Sequence, residues 1–287
     1  ASTLAWLIHQ KFELGIPLYR QEKEWEALGF RLSRATMSNW LLVVYRDWLQ
    51  HIVHRLRQEL LNQRYLHIDE THVQVLKEPG RKNTSDSYMW VYCSMKGAEN
   101  PIRYFEYQPG RGGKYPEAFL KGYECYIHTD AYSGYNGLTG VKRCLCYTHL
   151  RRAFVDALPK DVHTPEASKP AEAILWLNKL FNIEAELEDL SPEQKKKERL
   201  IREKPLLEAF WAWTEKSAAS ELPKSKLSKA FYYALNNRQE FFNYLEDGHC
   251  SISNSLAENC IRPFVIGRKN WLFAGSPKGA AASAGIY

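Results

Sequence analysis

Three runs of β-branched and aromatic residues follow one another between residues 65 and 108: YLHIDETHVQVL, SYMWVYCSM and IRYFEYQ. Turn-rich stretches, EPGRKNTSDS and KGAENP, separate them. Runs of this length and composition read as strands, and the short polar breaks read as reversals, so an antiparallel three-strand meander is predicted. PEAFLKG (116–122) follows as a short helix, ECYIHTD (124–130) as a buried strand and VKRCLCY (141–147) as another. A helix is expected from about Thr148 through HLRRAFVDAL.

The flanking sequence has a different period. Residues 1 to about 56 read as helical. LYRQEKEWEAL (18–28) carries apolar residues at helical spacing, GF stops it, and Ser33 can cap the helix that begins ATMSNWLLVVYRDW. Two helices joined by a short glycine-containing turn make a helix-turn-helix candidate, and equally a plain helical hairpin. Residues 159–247 open with a polar loop, PKDVHTPEASKP, and continue as charged helical sequence. There the lysine run 195–197 reads as a solvated face, and Trp176, Trp211 and Trp213 as packing residues. The resulting division is 1–58 helical, 59–158 core, 159–247 helical insertion and 248–287 the second part of the core.

At 45% hydrophobic and 13% aromatic the chain has ample material for a core, which excludes wholesale disorder. No apolar run approaches the ~18 residues that span a bilayer. The net charge of +6 favours a polyanionic partner. Six cysteines without a secretory signal read as reduced cytosolic thiols. The chain starts at Ala1 without Met and stops inside the small-residue run GAAASAGIY, so it reads as a fragment truncated at both ends.

Two aspartates carry the chemistry. Asp69 lies in the first strand, in HIDET, and Asp130 closes the fourth, in HTDAY. Each has a histidine two residues earlier (His67, His128), on the same strand face. A βββαβ order with these two aspartates is the ribonuclease H-like layout, in which the first and fourth strands lie side by side. The expected fold is therefore α/β: a ribonuclease H-like mixed sheet with flanking helices, preceded by the helix-turn-helix-like segment and interrupted by the helical insertion. A third carboxylate must come from a later helix, and Glu258 in NSLAENCIRPFVIGRKNWLF is the best placed, with Glu70 the nearest rival to Asp69. Asn254 or Ser255 can cap that helix, which places Glu258 and Arg262 on one face and is expected to kink or end at Pro263.

Three converging carboxylates repel one another unless a cation neutralises them, and hard oxygen ligands suit two Mg²⁺ or Mn²⁺ ions. Such ions support in-line phosphoryl transfer without a covalent nucleophile. Arg151, Arg152, Arg262, Arg268 and Lys269 are candidate DNA contacts, with one of Arg151 and Arg152 alternatively pairing with Asp156. Tyr132, Tyr135 and Trp271 are either core residues or stacking platforms for an unpaired base.

The blocks YLHIDETHVQV, HTDAYSGYNGL, CYTHLRRAFVDAL and NSLAENCIRPFVIGRKNWLFAGSPKGA resemble the DDE transposases of the IS66 insertion-sequence family. The likeness runs from about residue 10 to the end and is weakest across the helical block. It implies an acidic triad at Asp69, Asp130 and Glu258, cleavage of transposon ends and strand transfer into target DNA. It also implies a homo-oligomer on DNA, accessory proteins of the same element, and a bacterial cytoplasmic, nucleoid-associated location. Cys146 and His149 are similar to a C-x₂-H element of several DDE groups. Alone they are half a zinc site, which Cys144, His249 and Cys250 could complete, but a supporting packing role is favoured over zinc. The alternatives are a ribonuclease H-like nuclease and a non-catalytic, domesticated DNA-binding protein.

Overall fold

A computed structural model of the chain describes residues 2–159 and 168–287. The N-terminal elements are α1 (Ser2–Ile8), α2 (Leu18–Ala27), α3 (Arg34–Val44) and α4 (Gln50–Leu61). Next come β1 (Tyr65–Val75), β2 (Asp86–Ser94), β3 (Arg103–Gln108) and α5 (Lys114–Phe119). Two short strands, β4 (Tyr126–Thr129) and β5 (Lys142–Leu145), precede α6 (Tyr147–Val155). A helical block follows, with α7 (Lys169–Glu186), α8 (Pro192–Glu198), α9 (Lys204–Ala218), α10 (Lys226–Asn236) and α11 (Arg238–Phe242). The chain closes with α12 (Ser255–Trp271), β6 (Phe273–Ala274) and α13 (Pro277–Ile286).

Local chemistry sets many of these ends. Ser33, Ser168, Ser191, Ser225 and Ser276 each accept a backbone N–H of the helix they precede, satisfying donors that a helix start leaves open. The polar loop expected at 159–170 falls mostly outside the described residues; Pro159 and the end, where Ser168 caps α7, are described.

Packing divides the chain into two compact units that follow contacts rather than sequence segments. The first comprises residues 1–123, 133–139 and 256–287. Its sheet is mixed: β1 pairs antiparallel with β2, β2 antiparallel with β3, and β1 parallel with β6. Because strand side chains alternate, β1 divides its residues between two faces. Val73 and Val75 join Met89, Val91, Cys93 and Phe105 on one face, covered by Ala257, Cys260, Ile261 and Phe264 of α12 and by Ala280 and Ala284 of α13. The other face is aromatic, with Tyr92 stacked on Phe119 at 3.6 Å and Trp90 edge-on to Tyr135 at 6.0 Å. Leu7, Phe12, Met37 and Leu41 form a second core under α1–α3, joined by Ile286 and Tyr287.

The helix expected to kink or end at Pro263 runs on through it to Trp271. Proline there removes one helix bond, at a cost of about 3 kcal/mol. The buried stripe Ala257, Cys260, Ile261, Phe264 and Gly267 holds both halves of α12 down on the sheet and offsets that loss.

The second unit comprises residues 124–132 and 140–255. Its strands β4 and β5 pair in parallel, Ile127 opposite Arg143. The helical block packs on α6 through an aromatic core of Tyr147, Phe154, Phe210, Trp211, Phe231 and Phe241. Trp213 stacks on Phe210, and in α8 Lys196 and Lys197 are exposed while Lys195 is half-buried. Arg199, 1% exposed, is the polar centre: it grips Glu184 with two hydrogen bonds and donates to the carbonyls of Tyr244, Asp247 and Cys250. Glu203, also buried, accepts the Tyr244 hydroxyl at 2.7 Å.

Candidate active site

In the first unit, register decides between the two adjacent acids. Asp69 is opposite Val91, which is opposite Phe105, so its side chain belongs to the face that α12 covers. One Asp69 oxygen accepts the Glu70 N–H at 2.9 Å. Asp69 also acts electrostatically on Cys93, whose thiol meets that of Cys260 on α12. The hydrogen bond from Cys93 pulls the Cys260 thiol down to about 7, while Cys93 is pushed up. One turn of α12 is thereby tied to β2, the strand paired with Asp69, and Glu258 is half-buried on the same helix.

Glu70 is opposite Trp90, on the other face. Its side chain is 1% exposed, bound by Arg111 at 2.6 Å and by the Tyr135 hydroxyl at 2.6 Å. Gly113 allows this clasp: a Cβ there would lie 2.5 Å from the Gly134 carbonyl, so only glycine lets the Tyr135 turn close on α5. The sequence missed this triad because its members are scattered over 65 residues. Tyr135 is accordingly a core residue, not a free stacking surface.

In the second unit, Asp130 is one residue beyond the end of β4. One of its carboxylate oxygens accepts the Tyr132 N–H at 3.0 Å, an Asx turn that fixes the side chain. Arg143, 7% exposed, locks the turn from β5: its Nε donates to Thr129 Oγ1 at 2.9 Å, and Nη2 to the carbonyls of Asp130 at 2.8 Å and Tyr132 at 3.3 Å. Nothing in its local pattern had marked Arg143.

Cys146 precedes the first turn of α6 and its sulfur accepts the Asn254 N–H at 3.1 Å. Burial pushes this thiol up, but hydrogen bonds from His149 and Asn254 outweigh it, and the net shift is downward. The zinc completion assembled on paper is not the grouping formed. His249 turns to Asp247 at 2.9 Å, while Cys144 and Cys250 gather with His128 in a buried trio. The two thiols hydrogen-bond each other, and His128 Nε2 accepts the Ser251 N–H at 2.9 Å.

The basic candidates separate by packing. Arg268 is half-buried and donates to Thr71 Oγ1 at 2.8 Å and to the His72 carbonyl, fastening α12 to β1; burial lowers its pKa. Arg151 donates to Asn178 Oδ1 at 2.8 Å, tying α6 to α7. Arg152, Arg262 and Lys269 are exposed, and neither Arg152 nor Arg262 forms an ion pair among the described residues.

A family model described as "Transposase IS66 family" matches residues 1–282. The uncharacterized protein y4qI of Sinorhizobium fredii (strain NBRC 101917 / NGR234) is 28% identical over 291 residues, covering 96% of this chain and 53% of that protein. A second uncharacterized protein of the same strain, y4hP, is 26% identical over 300 residues, with 98% and 54% covered. The chain thus spans about half the length of the curated relatives it matches. No solved structure matches. No helix among the described residues is long and apolar enough to cross a membrane.

Proposed function

The chain belongs to the IS66 family of transposases, and we propose that it is the catalytic part of a metal-dependent DNA transposase that cleaves the ends of its element and joins them to target DNA. The observation that carries this reading is the division of labour on β1. Asp69 shares a face with α12, the helix of Glu258, while Glu70 is neutralised on the opposite face. On this proposal Asp69, Glu258 and Asp130 converge as metal ligands within a ribonuclease H-like core.

The donor set fits a hard cation: three carboxylates brought together need a positive partner, and oxygen ligands suit Mg²⁺ or Mn²⁺. Two such ions would supply Lewis-acid activation of water or a 3′-hydroxyl and stabilisation of the leaving oxygen. The protein's own residues hold the geometry. The Glu70 N–H orients Asp69, the Tyr132 N–H orients Asp130, and Arg143 keeps the Asp130 turn closed. Exposed Arg152, Arg262 and Lys269 are the proposed backbone contacts. Assembly of several copies on DNA, accessory proteins of the same element, and end recognition by the whole protein are parts of the same proposal.

The test is strand cleavage and joining on DNA carrying the element's ends, with Mn²⁺. Asp69→Asn, Asp130→Asn and Glu258→Gln should each abolish both steps while retaining DNA binding. An Asp69→Asn variant that joins ends as well as wild type overturns the reading. Cleavage of an RNA–DNA hybrid without end joining would instead favour a nuclease.

A further inference from the structure

Within the first unit a cavity of about 650 Å³ opens between α2, α3, β6 and α13, in the size range of small-molecule sites. Its wall combines the apolar surfaces of Phe12, Trp271 and Phe273 with three cations, Lys11, Arg34 and Lys77, and among the described residues that line it there is no carboxylate. Arg34 has Glu22 at 3.9 Å. Lys11 and Lys77 form no ion pair among the described residues. The Lys11 ammonium is 5.2 Å from the ring centres of both Phe12 and Trp271, and burial pulls it down to about 8. A desolvated cation without an anion is costly unless a ligand completes it.

The backbone around the cavity is also strained. Lys77 and Leu272 have φ of 60° and 66°, the left-handed region that a side chain disfavours. Each costs on the order of 1–3 kcal/mol. Lys77 is held there by Asn83 Oδ1, which accepts its N–H at 3.0 Å. Leu272 follows Trp271, whose helix its N–H closes by bonding the Arg268 carbonyl at 2.8 Å. The two strained residues flank the elements that present a cation and an aromatic ring to the cavity.

We propose that this cavity takes one nucleotide of a single DNA strand, its phosphate on Lys11 and Lys77 and its base against the apolar wall. The inference rests on the DNA reading above and gives that reading a second contact, apart from the carboxylates. Charge complementarity favours this occupant: a phosphate supplies what Lys11 and Lys77 lack, and a base supplies a flat apolar surface.

The experiment is fluorescence anisotropy of the full chain with a labelled oligo(dT) of about eight nucleotides, titrated at several salt concentrations. Lys11→Met should bind about tenfold more weakly and lower the salt slope by about 0.7. Its melting temperature should be unchanged or higher, because it removes a desolvated cation. Lys77→Met, at the rim, should act in the same direction. Wild-type affinity and slope in both variants overturn the proposal, as does inorganic pyrophosphate competing as well as the oligonucleotide. The two readings fail separately. If wild type joins ends but Lys11→Met binds oligo(dT) normally, only the cavity assignment falls. If Lys11→Met weakens binding but Glu258→Gln still joins ends, only the triad falls.

Discussion

Asp69 and Glu70 are consecutive in β1 yet occupy opposite faces of the sheet, one on the side covered by α12 and the other closed in by Arg111 and Tyr135. Substituting them should therefore separate catalysis from stability. Asp69→Asn is expected to lower end cleavage by at least 10²–10³-fold, the scale of removing one preorganised electrostatic group, with little change in melting temperature. Glu70→Ala leaves Arg111 and the Tyr135 hydroxyl without their acceptor and should cost about 1–3 kcal/mol, a buried-pair figure discounted because Arg111 is 38% exposed. Thermal melts and single-turnover cleavage on both variants check the pair; equal activity losses without a stability difference would contradict the assignment.

Arg143 is expected to act as a positioning residue for Asp130. Arg143→Lys keeps the charge but cannot span Thr129 and the two carbonyls that the planar fork reaches. The Mn²⁺ concentration for half-maximal cleavage should rise about tenfold, with cleavage partly restored at saturating Mn²⁺. A purely structural role would lower the melting point and leave the Mn²⁺ requirement where it was.

Much of this fold is legible in the sequence, for identifiable reasons. The strands are β-branched and aromatic runs with turn residues on either side, and Ser33 stands just before a helical apolar pattern, so both are local signals. What could not be read depends on contacts between distant residues. Arg143, the Glu70–Arg111–Tyr135 clasp and the His128–Cys144–Cys250 trio have no spacing that announces them. The continuation of α12 past Pro263 depends on a buried stripe that outweighs a local breaker. Sequence shows that Arg151 and Arg268 are cations but not that they face Asn178 and Thr71.

Arg268 and Lys269 should consequently diverge, although they are adjacent. Arg268→Gln loses its bonds to Thr71 and the His72 carbonyl and should cost about 1–2 kcal/mol of stability. Its effect on the salt dependence of DNA binding should be small. Lys269→Gln should leave stability within about 0.5 kcal/mol and flatten the salt slope by about 0.9 on duplex DNA. Affinity measured between low and moderate salt distinguishes them, and an unchanged slope in Lys269→Gln removes it from the DNA interface.

Glu203 makes the stability of the second unit pH-dependent. Burial, reinforced by repulsion from Glu184, pushes its carboxyl from an ordinary value of 4.5 up to about 8, against the pull of the Tyr244 hydroxyl and Arg199. Between those values the folded chain holds a proton that the unfolded chain has released. Stability from this group is therefore complete below about pH 4.5, declines as pH rises through the window, and levels off above about pH 8. The wild-type melting temperature should fall between about pH 4.5 and pH 8, by about 2–4 °C per kcal/mol lost. Glu203→Gln mimics the protonated form and can still accept the Tyr244 hydroxyl, so it should flatten that decline and melt higher than wild type at the alkaline end. Parallel pH profiles for the two proteins would show that Glu203 ionises normally and that Arg199 neutralises it in the folded state.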